Sequence, residues 1–278
     1  MDRFIIWLDK IIDATAWQIP TPRSYGPFHI TFTLAGFLLC ALIAWRLRNV
    51  NEKQSRRVIF STGMILVFLE VYKQLLYHFY IDTSEGYTWW IFPFQLCSVP
   101  IYLCIIAPLL KKGIVQNCCY SFMMLYNLLG GFIAFFEPSG LLHPYATLTA
   151  MSCTWHMLLV FIGLFLVFSG RGGSTKKDYR NSTITFLVLC VVAFSINLAF
   201  WDVSNHSINM FFIGPQNSSL IVFKQIAEKF GWYVSTALYI PTVCFGSYLI
   251  FLLISKIIRP KITAHDKKRL GKQEGSLT

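Results

Sequence analysis

Residues 148–168 read LTAMSCTWHMLLVFIGLFLVF, a run with no Asp, Glu, Lys or Arg and a single histidine, His156. Wound as a helix at 1.5 Å per residue, such a run crosses a hydrocarbon core of ~30 Å. Further apolar runs lie at 30–45, 58–69, 89–110, 114–136, 184–201 and 232–258. They predict an all-α, polytopic membrane helix bundle with about seven transmembrane helices. A membrane barrel would instead need alternating apolar and polar residues, and the runs do not alternate.

Composition excludes the ordinary soluble classes. The chain is 55% hydrophobic, 17% aromatic and 13% charged, where a soluble globular chain carries about one quarter charged residues. The net charge of +11 could suggest a nucleic-acid partner, but its placement assigns it to membrane topology. Arg46, Arg48, Lys53, Arg56 and Arg57 follow the first run, Lys111 and Lys112 the third, and Arg171, Lys176, Lys177 and Arg180 the fifth. Lys256, Arg259, Lys261, Lys267, Lys268, Arg269 and Lys272 close the chain, whereas the stretches 82–88 and 137–146 carry no Lys or Arg. The positive-inside rule then places the N-terminus outside and the C-terminus in the cytoplasm, as expected of a multi-pass protein of the cell membrane.

Three segments follow. Residues 1–27 form an N-terminal interfacial amphipathic segment, in which Phe4, Leu8, Ile11 and Ile12 fall at helical spacing and Trp7 and Trp17 serve as anchors. Asp2, Asp9 and Asp13 argue against a cleavable signal there. Residues 28–258 form the transmembrane domain, and 259–278 a basic cytoplasmic tail expected to be disordered. The eight cysteines lie mostly in apolar runs and lack metal-ligand spacing, so neither a disulfide framework nor a metal site is implied. No Gly-rich phosphate loop is present, and no cofactor is expected.

Polar side chains inside apolar runs are costly and mark either a functional cavity or an interhelical hydrogen bond. Cys97, His156, Asn127, Asn197, Lys73 and Tyr77 are all expected in the outer halves of their spans, the second span extending past its apolar run, and Glu70 lies nearer the middle. A thiol, an imidazole and several amides at one depth are the parts of a Cys-His acyl-transfer site. Cys97 would be nucleophile, His156 base, and Asn127 or Asn197 donors to an oxyanion. The competing reading is structural, since an intramembrane cysteine is commonly inert filler and a lone histidine commonly a packing contact. Glu70 and Lys73, three residues apart on one helix face, read as a neutralised intramembrane polar pair.

The segments FQLCS at 94–98, WH at 155–156, Asn197 with INMFF at 208–212, and GWY at 231–233 together resemble the bacterial YwaF family, related to animal transmembrane protein 164. The resemblance runs through nearly all the apolar runs in order. It implies a seven-span fold and, from the animal branch, acyltransferase activity on phospholipids using a Cys in the third span and a His in the fifth, roles that fall on Cys97 and His156. The same motifs add Gln95, Asn209 and Tyr233 to the substrate-binding or oxyanion candidates. Bacterial relatives often carry His where this chain has Gln95, whose amide can donate to an oxyanion but cannot titrate near neutrality. The alternative is a non-catalytic ligand-binding, transport or sensor protein using the same polar cavity. No inverted repeat or paired broken helices of the transporter kind are expected from the sequence.

Reporter fusions test the orientation. A reporter after Thr278 should be active only on the cytoplasmic side and one within 82–88 only outside; a tail scored outside would overturn the topology.

Overall fold

Long apolar runs fold as helices because hydrocarbon offers no partner to a backbone N–H or C=O. The computed structural model describes residues 3–82 and 86–262, and among them the regular elements are helices. α1 (Arg3–Asp13), α2 (Pro27–Arg46) and α3 (Glu52–Leu76) are followed by a short α4 (Val99–Ile106). α5 (Ile114–Phe122) and α6 (Leu128–Phe136) run on as one rod through a π-helical turn, Met123–Asn127. α7 (Ala146–Phe168), α8 (Lys176–Ala199), α9 (Ile221–Phe230) and α10 (Trp232–Leu253) complete the bundle. Starts are chemically marked. Asn51 before α3 and Thr175 before α8 each form a capping box, with Gln54 and Asp178 respectively, satisfying donors that the first turn leaves open.

Among the described residues, six helices are long and apolar enough to cross a membrane: Pro27–Arg46, Glu52–Ile81, Ile114–Phe136, Ala146–Phe168, Lys176–Ala199 and Trp232–Ile262. The α5–α6 rod and α7 have 67% and 61% of their most apolar windows buried, against 17–28% for the other four. They therefore form the centre of the bundle. Gly163 and Gly131 let them approach, since a Cβ at Gly163 would lie 2.7 Å from that of Leu128 and one at Gly131 3.0 Å from a Val160 methyl. Small residues at a crossing are how membrane helices gain packing area. The surrounding helices turn Leu34, Leu38, Phe68, Val191 and Phe245 outward, each more than 60% exposed, as a lipid-facing surface requires.

The third apolar run, 89–110, departs from the helix that its composition predicts. It is built as a 3-10 turn (Trp89–Ile91), an irregular stretch from Phe92 to Ser98, then α4 and a second 3-10 turn (Ala107–Leu109). Pro100 occupies the first turn of α4, where a missing N–H costs nothing. Cys97 therefore lies in a turn, outside helical backbone.

At one end of the bundle α1 packs Ile12 against Leu76, Tyr77, Ile91, Leu148 and Met151 and leaves Phe4 and Trp7 exposed. Tyr72 donates to Thr15 Oγ1 at 2.9 Å and Thr147 to the Thr15 carbonyl at 2.8 Å, which ties the segment after α1 across α3 and α7. At the opposite end arginines satisfy loop carbonyls: Arg56 donates to Pro108 and Leu110, Arg171 to Val50, and Arg259 to Gly172. Glu52 lies among them, 3.0 Å from Arg56 and 3.7 Å from both Lys112 and Arg171. Helix continues to Ile262, past the start of the tail read from sequence; the rest of that tail lies outside the described residues.

Overpacking the central crossing should be costly. Gly163→Val in detergent should lose about 1–3 kcal/mol of stability, whereas Gly140→Ala, with nothing within 4 Å of the added carbon, should melt as the parent does. Equal melting of the two variants would contradict the close α6–α7 contact.

Candidate functional site

Cys97 sits in the turn that precedes α4, and neighbouring groups engage the carbonyls of that stretch one by one. Lys73 Nζ and Gln74 Nε2 donate to Ile91 O at 3.3 and 3.2 Å, and Tyr102 donates to Pro93 O at 2.7 Å. Gln95 O accepts from Ser98 N–H at 2.8 Å and Val99 N–H at 3.3 Å. Asn127 Nδ2 donates to Leu96 O at 3.3 Å, and the Trp155 indole to Cys97 O at 3.0 Å. Side chains from α3, the π-helical turn and α7 thus stand in for the helical hydrogen bonds that the break removes. The half-buried Cys97 packs with Leu66, Ile101, Trp155 and Leu159.

Glu70 and Lys73 form the expected i, i+3 pair at 2.8 Å, with Glu70 7% exposed. Gln74 donates to the other carboxylate oxygen at 2.7 Å, and the Lys73 ammonium lies 5.9 Å from the Trp155 ring centroid. Buried, paired and hydrogen-bonded is how charges persist inside a bundle.

His156, also half-buried, donates from Nδ1 to the Ser152 carbonyl at 2.9 Å. A carbonyl can only accept, so Nε2 is left as the basic nitrogen of the neutral ring. The ring meets Phe135 edge-on at 6.5 Å. No hydrogen bond joins it to Cys97: the turn reaches α7 through Trp155, one position round the helix. Beyond Phe135 lies His29, stacked at 6.3 Å and 3% exposed. Its Nδ1 accepts from Tyr25 N–H at 3.2 Å, and its buried Nε2 has no partner. Sequence reasoning missed His29, whose signal was an imidazole just inside the start of an apolar helix.

The amides divide into two kinds. Gln95, Asn197 and Asn209 are engaged with backbone. Gln95 bonds Asn209 O and Phe211 N–H, Asn197 bonds both backbone groups of Met210, and Asn209 bonds Gln216 O, Asn217 O and Gly214 N–H. Asn127 differs: it is 2% exposed, its Nδ2 is used, and its Oδ1 has no partner. A buried orphan acceptor costs about 1–3 kcal/mol, which makes Asn127 the amide of this group with capacity to spare. Tyr233 is 63% exposed, edge-on to Trp232 at 6.2 Å, and stands apart from this cluster. Among the described residues, no group of three or more His, Cys, Asp or Glu side chains is arranged to hold a metal ion.

The TMEM164 family model matches residues 24–253, a stretch that takes in the Cys97 turn, the Glu70–Lys73 pair, His156 and the three backbone-bound amides. The chain belongs to the TMEM164 family. No curated protein and no solved structure matches it. In this TMEM164-family protein the matched region begins just before α2, so α1 falls outside it.

At the rim of the site Ser152 Oγ pairs with His143 Nε2 at 3.2 Å. His143 lies in the loop before α7, and burial pushes its pKa below the ordinary 6.5. The unfolded chain therefore binds this proton more readily than the folded one. The contribution to stability is complete above about pH 6.5 and is lost as pH falls from there toward the lowered folded value. The melting temperature should drop between pH 7 and 5, and His143→Asn should flatten that dependence; an unchanged slope would exclude His143 as its source.

Proposed function

We propose that this protein is a membrane acyltransferase that moves a phospholipid acyl chain through a Cys97 thioester, with His156 as base, in the outer half of the bilayer. The observation that carries the reading is the break in the third apolar run. It leaves a half-buried thiol on non-helical backbone among groups from several helices, where membrane proteins otherwise avoid irregular chain. The start of α4 contributes the positive end of a short helix dipole to the same place. With this reading go a seventh crossing by the broken run, an outside N-terminus, residence in the cell membrane and the three-segment division at 27 and 258.

The chemistry balances without a co-reactant. His156 Nε2 takes the thiol proton as Cys97 Sγ attacks the ester carbonyl of the donor lipid. The S–C bond forms, the ester C–O bond breaks, and the departing lysolipid oxygen receives the proton. In the second half a hydroxyl of the acceptor lipid loses its proton to His156 and attacks the thioester. A new C–O bond forms, the C–S bond breaks, and the proton returns to the thiol. Asn127 Oδ1, which has no partner, can accept from the incoming hydroxyl, whereas its Nδ2 is already engaged with Leu96 O. Cys97 and His156 are not hydrogen-bonded to each other, and catalytic hydrogen bonds commonly tighten only in the complex with substrate.

A second reading has its own support. A discontinuous span beside the irregular stretch between α8 and α9 is the architecture that transporters use for binding at mid-membrane, and it was not expected from sequence. Under that reading the same cluster holds a ligand without covalent chemistry.

Purified protein given labelled phospholipid should form a hydroxylamine-sensitive adduct that Cys97→Ala abolishes. His156→Ala should slow its formation by roughly 10² to 10⁴ in protein that remains monodisperse. Equal lipid turnover in parent and Cys97→Ala would exclude the thioester and favour the second reading.

A further inference from the structure

The segment 208–214 between α8 and α9 is strained. Phe211 and Phe212 adopt left-handed backbone, φ 58° and 59°, a region that costs a bulky L-residue about 1–3 kcal/mol and persists only when its surroundings over-determine it. Two side chains do so. Asn197, fully buried at the outer end of α8, accepts from Met210 N–H at 2.6 Å and donates to Met210 O at 3.0 Å. Gln95, from the broken run, donates to Asn209 O at 2.9 Å and accepts from Phe211 N–H at 2.9 Å. Three consecutive residues are thus gripped by amides acting as surrogate backbone. Phe211, completely buried, also stacks between Phe94 at 5.8 Å and Phe186 at 6.4 Å.

The grip works in both directions, because Gln95 is also the residue whose carbonyl closes the Cys97 turn through Ser98 and Val99. Leu96 and Cys97 are tied to the centre of the bundle, and Gln95 ties the same turn to the segment after α8. We propose that Gln95 is a positioning residue for Cys97: its two amide bonds to Asn209 and Phe211, backed by the Asn197 clamp on Met210, set where the thiol stands. The inference rests on the acyl-transfer reading for its catalytic consequence, and on geometry alone for the position of the thiol. It takes Gln95 and Asn197 from the role of oxyanion donors, since both ends of each amide are already engaged.

The test compares Gln95→Met, nearly isosteric and unable to hydrogen-bond, with Gln95→Glu, which keeps the acceptor for Phe211 N–H, with Asn197→Leu, and with the Gln95→Met/Asn197→Leu double variant. Two rates are measured per folded molecule: alkylation of Cys97 by a bilayer-soluble maleimide, with Cys97→Ala as blank, and thioester formation from labelled phospholipid. Gln95→Met should change the alkylation rate and lower the thioester rate constant by roughly 10²-fold at unchanged KM, the scale of an ångström-sized misplacement. Gln95→Glu should fall between it and the parent, which keeps the test decisive if Gln95→Met fails to fold. The double variant should be little worse than the more affected single variant, because both amides hold one segment. If every variant merely melts earlier while both rates per folded molecule stay at parent values, the positioning role is overturned. Losses that multiply in the double variant overturn the shared clamp. Should the parent form no thioester, the acyl-transfer reading falls, and the alkylation rates alone still decide the position of the thiol.

Discussion

Inside a bilayer every backbone N–H and C=O must be satisfied by the protein itself, and this requirement governs the rest of the molecule. Among the described residues, six long helices meet it internally. Two irregular stretches, Phe92 to Ser98 and 208–217, cannot, so the burden passes to side chains. Lys73, Gln74, Tyr102, Asn127 and Trp155 supply donors to the first, and Gln95, Asn197 and Asn209 bind the second. Each such bond is worth only about 0.5–1.5 kcal/mol when formed but about 1–3 kcal/mol when its partner is left buried and unmade. The polar residues around Phe92 to Ser98 are therefore first the scaffold of a broken apolar run, and the thiol of Cys97 is what that scaffold holds.

The two ends of the bundle differ in physical character. At the basic end Arg56, Arg171 and Arg259 bridge loop carbonyls across short connections, with Glu52 among the cations. The charges that indicate orientation by the positive-inside rule are thus also structural fasteners there. At the other end aromatic stacking, α1 and amide–backbone contacts take over, and the irregular segments lie between.

Hydropathy reports composition over a window, and that decided what was legible. The limits of the fourth run, 114–136, coincide with the α5–α6 rod, and Glu70 with Lys73 was readable from spacing alone. The break at 92–98 was not, because an apolar stretch looks the same whether its backbone is bonded along the helix or to side chains. Pro93 and Pro100 were the local signals, the second fitting the first turn of a new helix. Gln95, Asn197 and Asn209 could be recognised as polar groups at membrane depth, but sequence cannot distinguish an amide facing a ligand from one replacing a missing helical bond. His29 escaped notice because nothing near it in sequence predicts that Phe135 will lie between it and His156.

The most direct test of the account is leaflet-resolved acyl exchange in proteoliposomes whose protein is oriented through its C-terminal tail, with labelled phospholipid confined to one leaflet at a time. The account predicts that label leaves phospholipid in the leaflet on the side of the 82–88 loop while the leaflet facing the Arg- and Lys-rich connections keeps it. Loss from the basic-side leaflet, equal loss from both, or no loss from either would contradict a thiol that works in the outer half of the membrane.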